Sequence, residues 1–293
     1  MEMDLLRQIE NAHVSFSKGQ KRIADYVINN YDKAVNLTAA KLGRIVGVSE
    51  STVVRFATEL GFKGYPGFQK SLEEIVKNKL NSIQRITLTT TRLEEDKILD
   101  TVLQSDYENL RFTKEQMDNG DFNRAVDLIS GARRIYIAGG RSCEALAQFM
   151  AYYLNYIFDN VKLISSNSVT VSLEEIHRIN NEDVVVGISF PRYSIDTVRV
   201  IEFSRKREAK IIAITDSNAS PMIKYSDCKL FAKSDMVSIV DSLAAPLSLI
   251  NALIAALSIR NKEQVVSSME VLENIWEDFS VYKDTDFDGH EQL

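Results

Sequence analysis

Two groups of polar residues have the types and spacing that chemistry needs. The first follows a short apolar stretch: Ala138-Gly139-Gly140-Arg141-Ser142. Glycines directly after a strand let backbone N–H groups approach an anion, and the N-terminus of a following helix favours negative charge. A second polar loop, Ser189-Phe190-Pro191-Arg192-Tyr193-Ser194, follows another apolar stretch. In an open parallel sheet, ligands sit beyond the carboxyl ends of the strands where chain order reverses. For a 2-1-3-4-5 order, both loops face that point. Gly140, Ser142, Ser189 and Ser194 then form a cradle for one phosphate, Arg192 adds a cation and Tyr193 an aromatic wall. Plainer roles stay open: Ser142 and Ser194 are good N-caps, Ser189 can cap locally, and Arg192 can be a solvated loop cation.

A dinucleotide does not fit this cradle. The spacing is Gly-Gly-x-Ser rather than GxGxxG, and the second apolar stretch ends in Ser165-Ser166-Asn167, without an acid for a ribose hydroxyl. No cofactor and no metal are expected. Sugar-phosphate isomerisation would need a general base near the crevice. Glu174, Glu175 and His177, on the helix before the third strand, are the candidates. Adjacent glutamates on a charged helix read as a solvated face, and His177 as a helix-surface or interface residue. The chain is expected not to be an enzyme.

The second group lies near the N-terminus. Residues 40–46 form a short amphipathic helix, Gly47 supplies a positive φ for a tight turn, and Val48 plugs the junction. Ser49 caps a second helix over 50–60, and Gly61 ends it. Two helices joined by such a turn make a helix-turn-helix. On the second helix Val53, Phe56, Ala57 and Leu60 recur at spacings of three and four and pack inward; Ser51, Thr52 and Arg55 face out. The early residues of such a helix, Ser49 among them, reach base edges or phosphates in the major groove, with Arg44 and Lys63 as phosphate contacts. The partner is operator DNA.

The elements that must hold these groups follow from the apolar pattern. Residues 1–77 are helical throughout, with Leu5, Ile9, Ile23, Val27 and Ile28 at helical spacing, and 78–120 reads as a helical linker. From 121 to 282 the pattern changes to short β-branched runs at 134–138, 161–164, 184–189, 210–215 and 229–232. Helices at 143–158, 169–179, 195–207 and 222–225 alternate with them. That alternation gives a parallel five-stranded sheet with helices on both faces, so the fold class is α + α/β. Ser220-Pro221 reads as the N-cap and first position of the 222–225 helix. A long apolar helix follows at 239–259, shared between the sheet and a subunit interface, then a charged helix at 263–279. Residues 283–293 are an acidic tail expected to be loose.

Bulk numbers agree. Among 293 residues, 45% are hydrophobic and 26% charged, which suits a soluble two-domain chain. No apolar run reaches 18 residues, so no membrane is expected. Cys143 and Cys228 stand far apart without a CxxC, which fits the cytoplasm and excludes a disulfide framework. Net charge is −6, yet residues 1–80 carry 12 Lys and Arg against 9 Asp and Glu, and the remainder carries 23 against 32. The basic surplus sits where DNA would bind.

The string TVVRFATELGFKGYPGFQKSL, residues 52–72, resembles the DNA-binding domain of RpiR/MurR-type transcriptional regulators. Leu60-Gly-Phe-x-Gly-Tyr65 is its most specific piece, and the resemblance spans about residues 1–77. It implies a following SIS (sugar isomerase) domain that senses a sugar phosphate, and a cytoplasmic bacterial regulator of sugar or amino-sugar use. SIS domains carry Gly-x-Gly-x-Ser in the first loop, matched in part by Gly139–Ser142. Their second loop carries Ser-x-Ser-Gly-x-Thr/Ser. That places Ser189 and Ser194 on hydroxyl positions, with Pro191 and Arg192 replacing a serine and a glycine. SIS domains also occur in sugar-phosphate isomerases, the alternative function. Two half-sites read with two-fold symmetry imply a homodimer or homotetramer.

Overall fold

Helical spacing of apolar residues produces a bundle at the N-terminal end: α1 (Leu5–Ala12), α2 (Lys18–Asn29), α3 (Tyr31–Ala34), α4 (Ala39–Val46), α5 (Glu50–Glu59) and α6 (Tyr65–Lys79). The structure is a computed structural model that describes residues 5–79, 95–164, 168–237, 239 and 241–281. The expected tail at 283–293, residues 165–167 and the stretch 80–94 of the expected linker lie outside the described residues. The chain divides into two units, one of residues 1–104 with Met236–Asp241 and one of Ser105–Asp235 with the residues from Ser242 on.

In the first unit the caps set the boundaries. Ser17 and Gln20 form a reciprocal capping box at the start of α2. Thr38 caps α4 through the Lys41 N–H, so that helix starts at Ala39. Gly47 ends it at φ 70°, where a side chain would strain the backbone. Ser49 accepts from the Thr52 N–H and opens α5. The core gathers Ile9, Ile23, Val27, Leu42, Val53, Phe56, Phe68 and Leu72, all nearly inaccessible. The Phe56 ring packs between Phe16 at 5.1 Å and Phe68 at 5.6 Å. Tyr65 donates its hydroxyl to the Leu37 carbonyl at 2.8 Å, and Gln69 donates to Val35 at 2.7 Å. The start of α6 is thereby pinned to the segment that leads into α4.

The second unit is a parallel sheet. Its strands are β1 (Ile135–Gly139), β2 (Val161–Ile164), β3 (Val184–Ile188), β4 (Lys210–Thr215) and β5 (Cys228–Phe231), in the order β2-β1-β3-β4-β5. Its helices are α7 (Ile98–Gln116, from Ser105), α8 (Asn119–Ser130), α9 (Cys143–Leu154), α10 (Val169–Glu175), α11 (Ile195–Lys206), α12 (Ala244–Arg260) and α13 (Lys262–Asp278). Alternation along the strands splits the core. Ile135, Ile137, Val184 and Val186 pack on the α8, α9 and α12 side, and Tyr136, Val185, Ile211 and Ala213 on the α10 and α11 side. Both cysteines are buried, and neither is in a disulfide.

Three elements differ from expectation. The apolar helix begins at Ala244 rather than at 239. Proline lacks an N–H and is tolerated only in a first helical turn, and Pro246 occupies that turn in α12. The expected helix at 222–225 is a single 3-10 turn, Ile223–Tyr225, and the Ser220 hydroxyl makes no bond among the described residues. α7, expected within a linker, is tied to the sheet unit from residue 105 on. Asp106 accepts from the Ser242 hydroxyl at 2.5 Å, Asn109 donates to the Asp235 carbonyl at 3.2 Å, and the Thr113 hydroxyl accepts from the Lys233 N–H at 2.8 Å. Among the described residues, no single helix is long and apolar enough to cross a membrane.

Candidate functional site

The surface of α5 is ordered from its first turn. Ser49 Oγ lies 2.8 Å from Ser51 Oγ and 2.9 Å from Thr52 Oγ1, a cluster of three hydroxyls around the capped end. Ser51 and Arg55 are exposed, and Arg55 Nε donates to the Ser51 carbonyl at 3.4 Å, laying the guanidinium along the helix. Thr52, expected to face out, is half-buried. Its methyl abuts Gly19 of α2, where an added Cβ would sit 3.5 Å away. A β-branched side chain can turn its methyl to a neighbouring helix while its hydroxyl caps, so Thr52 does both. Val54 and Thr58 extend the exposed row one and two turns beyond Ser51. Neither was among the expected contact residues, although the spacing from Ser51 holds the signal for both. Arg44 in the last turn of α4 and Lys63 in the turn before α6 are exposed.

The second site lies where β1 and β3 run side by side, with Gly139 in register with Ile188. Gly140 brings the two following loops into contact: a Cβ there would lie 2.5 Å from Ser194 Oγ. Only glycine permits that approach. Ser189 is 2% exposed and its hydroxyl accepts from the Ser194 N–H at 3.1 Å. Ser194 in turn caps α11 through the Thr197 N–H. Each hydroxyl thus spends a lone pair internally and keeps its hydrogen as a donor. Ser142 begins α9 but makes no capping bond, and it is exposed. Its backbone is already helical at φ −60°, ψ −27°, which turns the hydroxyl away from the N–H groups it would cap.

Both loops carry an arginine in the left-handed region, Arg141 at φ 60° and Arg192 at φ 63°. Such conformations are sparsely populated for non-glycine residues and cluster at functional sites. Tyr193 donates to Asp216 Oδ1 at 2.8 Å, which ties the loop after β3 to the end of β4. Asp216 was missed in the sequence reading; its signal was an acid directly after a strand.

The isomerase candidates sit elsewhere. The His177 carbonyl accepts from Arg207, the C-cap of α11, so it lies at the end of that helix opposite Ser194. Twelve helical residues separate the two by roughly 18 Å. Both His177 ring nitrogens are engaged, Nδ1 with the Glu174 carbonyl at 2.7 Å and Nε2 with Arg178 at 3.1 Å. The Glu175 carbonyl accepts from Lys162 at 2.9 Å, near the start of β2.

Residues 3–79 match the family described as helix-turn-helix domain, rpiR family, and residues 128–256 match the SIS domain. The chain belongs to the RpiR family. An uncharacterised HTH-type transcriptional regulator of Clostridium perfringens is 27% identical over 230 residues, 78% of this RpiR chain and 81% of its own length. The HTH-type transcriptional regulator HexR of Escherichia coli is 26% identical over 220 residues, 73% of each chain. In structure, the RpiR chain is similar to the Vibrio vulnificus NanR protein complexed with ManNAc-6P, with a TM-score of 0.57 and 22% identity over 92% of this chain and 97% of that one. The Leu60–Tyr65 string typical of RpiR proteins has a physical role here: it ends α5, turns the chain, and delivers the Tyr65 hydroxyl to Leu37.

Proposed function

We propose that this RpiR-family transcriptional regulator reads operator DNA with α5 and is controlled by a phosphorylated sugar or amino sugar bound between the loops after β1 and β3. Ser51 and Arg55 address base edges, Ser49 and Thr52 order the first turn of the reading helix beside the phosphates, and Arg44 and Lys63 contact the backbone. Gly140, Ser142, Ser189 and Ser194 cradle the phosphate; Arg192 supplies charge and Tyr193 a wall. The observation that supports this reading is the close approach of Gly140 to Ser194, which brings the loop after β1 against the N-terminus of α11. The ManNAc-6P in the complex of the similar NanR protein supports a phosphosugar as the ligand class. The position of His177, Glu174 and Glu175 away from the crevice favours sensing over isomerisation.

The reading domain corresponds to residues 1–77, the regulator acts in the cytoplasm, and two copies address two half-sites. Coupling of about 1–3 kcal/mol between crevice and operator changes occupancy about 5- to 150-fold. A thermal-shift screen of the purified chain against sugar phosphates and amino-sugar phosphates tests the proposal. One of these compounds is expected to raise the melting temperature and to change operator affinity without being consumed. Turnover of the compound, or a shift with no effect on operator binding, would refute it.

A further inference from the structure

Arg22 belongs to α2, yet its side chain serves the turn between α4 and α5. Nη2 donates to the Gly47 carbonyl at 3.0 Å, and a Cβ added at Gly47 would stand 3.2 Å from Nη1. Among the described residues no backbone N–H pairs with the Gly47 carbonyl, whereas the Val48 N–H closes back on Gly43 at 2.8 Å. A side chain from a third helix therefore supplies the bond that orients the peptide between Gly47 and Val48. Arginine suits the place: its fork presents several donors, and its charge faces the negative end of α4. Two neighbours of Arg22 hold α5 itself. A Cβ added at Gly19 would stand 3.4 Å from Val48 Cγ1 and 3.5 Å from Thr52 Cγ2, so α2 passes close to the first turn of α5. Gln20 donates its amide to the Glu59 carboxylate at the other end.

Arg22 is exposed, and an exposed hydrogen bond adds little to stability. Its leverage on geometry is larger. α5 has ten residues and is ~15 Å long, so a tilt of about 5° at the turn carries its far end ~1.3 Å. A binding constellation tolerates roughly 0.5 Å. We propose that Arg22 is a positioning residue for operator recognition: it fixes the peptide at Gly47, and through it the aim of α5, without itself contacting DNA. The proposal rests on the reading that α5 addresses base edges.

Fluorescence anisotropy of the full chain tests it with two probes: a duplex that the wild-type chain selects from a random-sequence pool, and a scrambled duplex of the same composition. Arg22→Ala is expected to lower the ratio of the two affinities about tenfold, to leave the affinity for the scrambled duplex within about twofold, and to leave the slope of log affinity against log salt unchanged. Lys63→Ala, which removes a phosphate contact, is expected to weaken both duplexes alike and to reduce that slope by about 1. Arg22 acts through the reading face. Arg22→Ala combined with Arg55→Ala is therefore expected to lose no more than Arg55→Ala alone, although the two residues stand on different helices. Should Arg22→Ala fail to fold by circular dichroism, Arg22→Gln carries the same expectations. A wild-type ratio in the Arg22 variant, a reduced salt slope, or additive losses in the double variant would each overturn the proposal. If Arg55→Ala lowers the ratio and Arg22→Ala does not, the reading of α5 stands and the role of Arg22 falls. If neither lowers it, both fall.

Discussion

A hydroxyl that accepts a hydrogen bond still has its own hydrogen to give. Ser189 and Ser194 are both in that state, and Ser142 is free of capping, so all three are suited to donate to an anion. Ser142→Ala combined with Ser189→Ala is therefore expected to abolish the thermal shift caused by the phosphosugar and to leave operator affinity as it was. A normal effector response in that double variant would place the cradle elsewhere. Arg192 is held at φ 63°, a strain of about 1 kcal/mol that glycine does not bear. Arg192→Gly should raise the melting temperature by about 2–4 °C and weaken effector binding, two changes of opposite sign readable in one calorimetric titration series. On α5, Arg55→Ala should cost operator binding about 1–3 kcal/mol with fold and association unchanged, measured by fluorescence anisotropy. At this scale the sequence displayed the loop residues because their types are distinctive. It did not display the bond from Tyr193 to Asp216, because that pair joins two strand ends 23 residues apart and no local pattern encodes it.

Among the elements, the strands and both helices of the helix-turn-helix were legible, because runs of β-branched residues and capping residues act locally. α7 was less so. Its buried polar residues Asn109 and Thr113 look like surface positions in an amphipathic pattern, and only the chain after β5 turns them inward. Asn109→Leu removes the donor to the carbonyl of half-buried Asp235, an expected loss of about 1 kcal/mol in denaturant unfolding. The start of α12 was readable in principle from Pro246, but the continuous apolar run from 239 hid it. At the beginning of α6, burial pushes the Tyr65 phenol up to about 12 from an ordinary 10. The neutral, hydrogen-bonded form is the one the fold favours. Its contribution is complete below pH 10 and is lost as pH rises toward 12. Tyr65→Phe should lack that alkaline dependence in a pH series of thermal melts, because the titrating group is gone.

For the whole molecule, the division of charge matters more than its sum. The basic surplus of residues 1–80 supports a salt-sensitive contact with phosphates, while the acidic remainder limits non-specific adhesion to nucleic acid. The two compact units suggest where the chain can be cut. A fragment beginning at residue 95 is expected to fold and to keep the full effector-induced thermal shift. One beginning at residue 117 loses α7 and should melt several degrees lower. Equal melting temperatures would mean that α7 contributes nothing to the sheet unit. The three polar side chains of α7 carry a further implication. Asp106, Asn109 and Thr113 grip their partners at intervals of three and four residues, which is one fixed pitch. A helix held that way cannot creep along its axis, since any small slide breaks all three grips together. Movement of α7 is therefore expected as a single step that releases all three grips together, rather than as a graded slide.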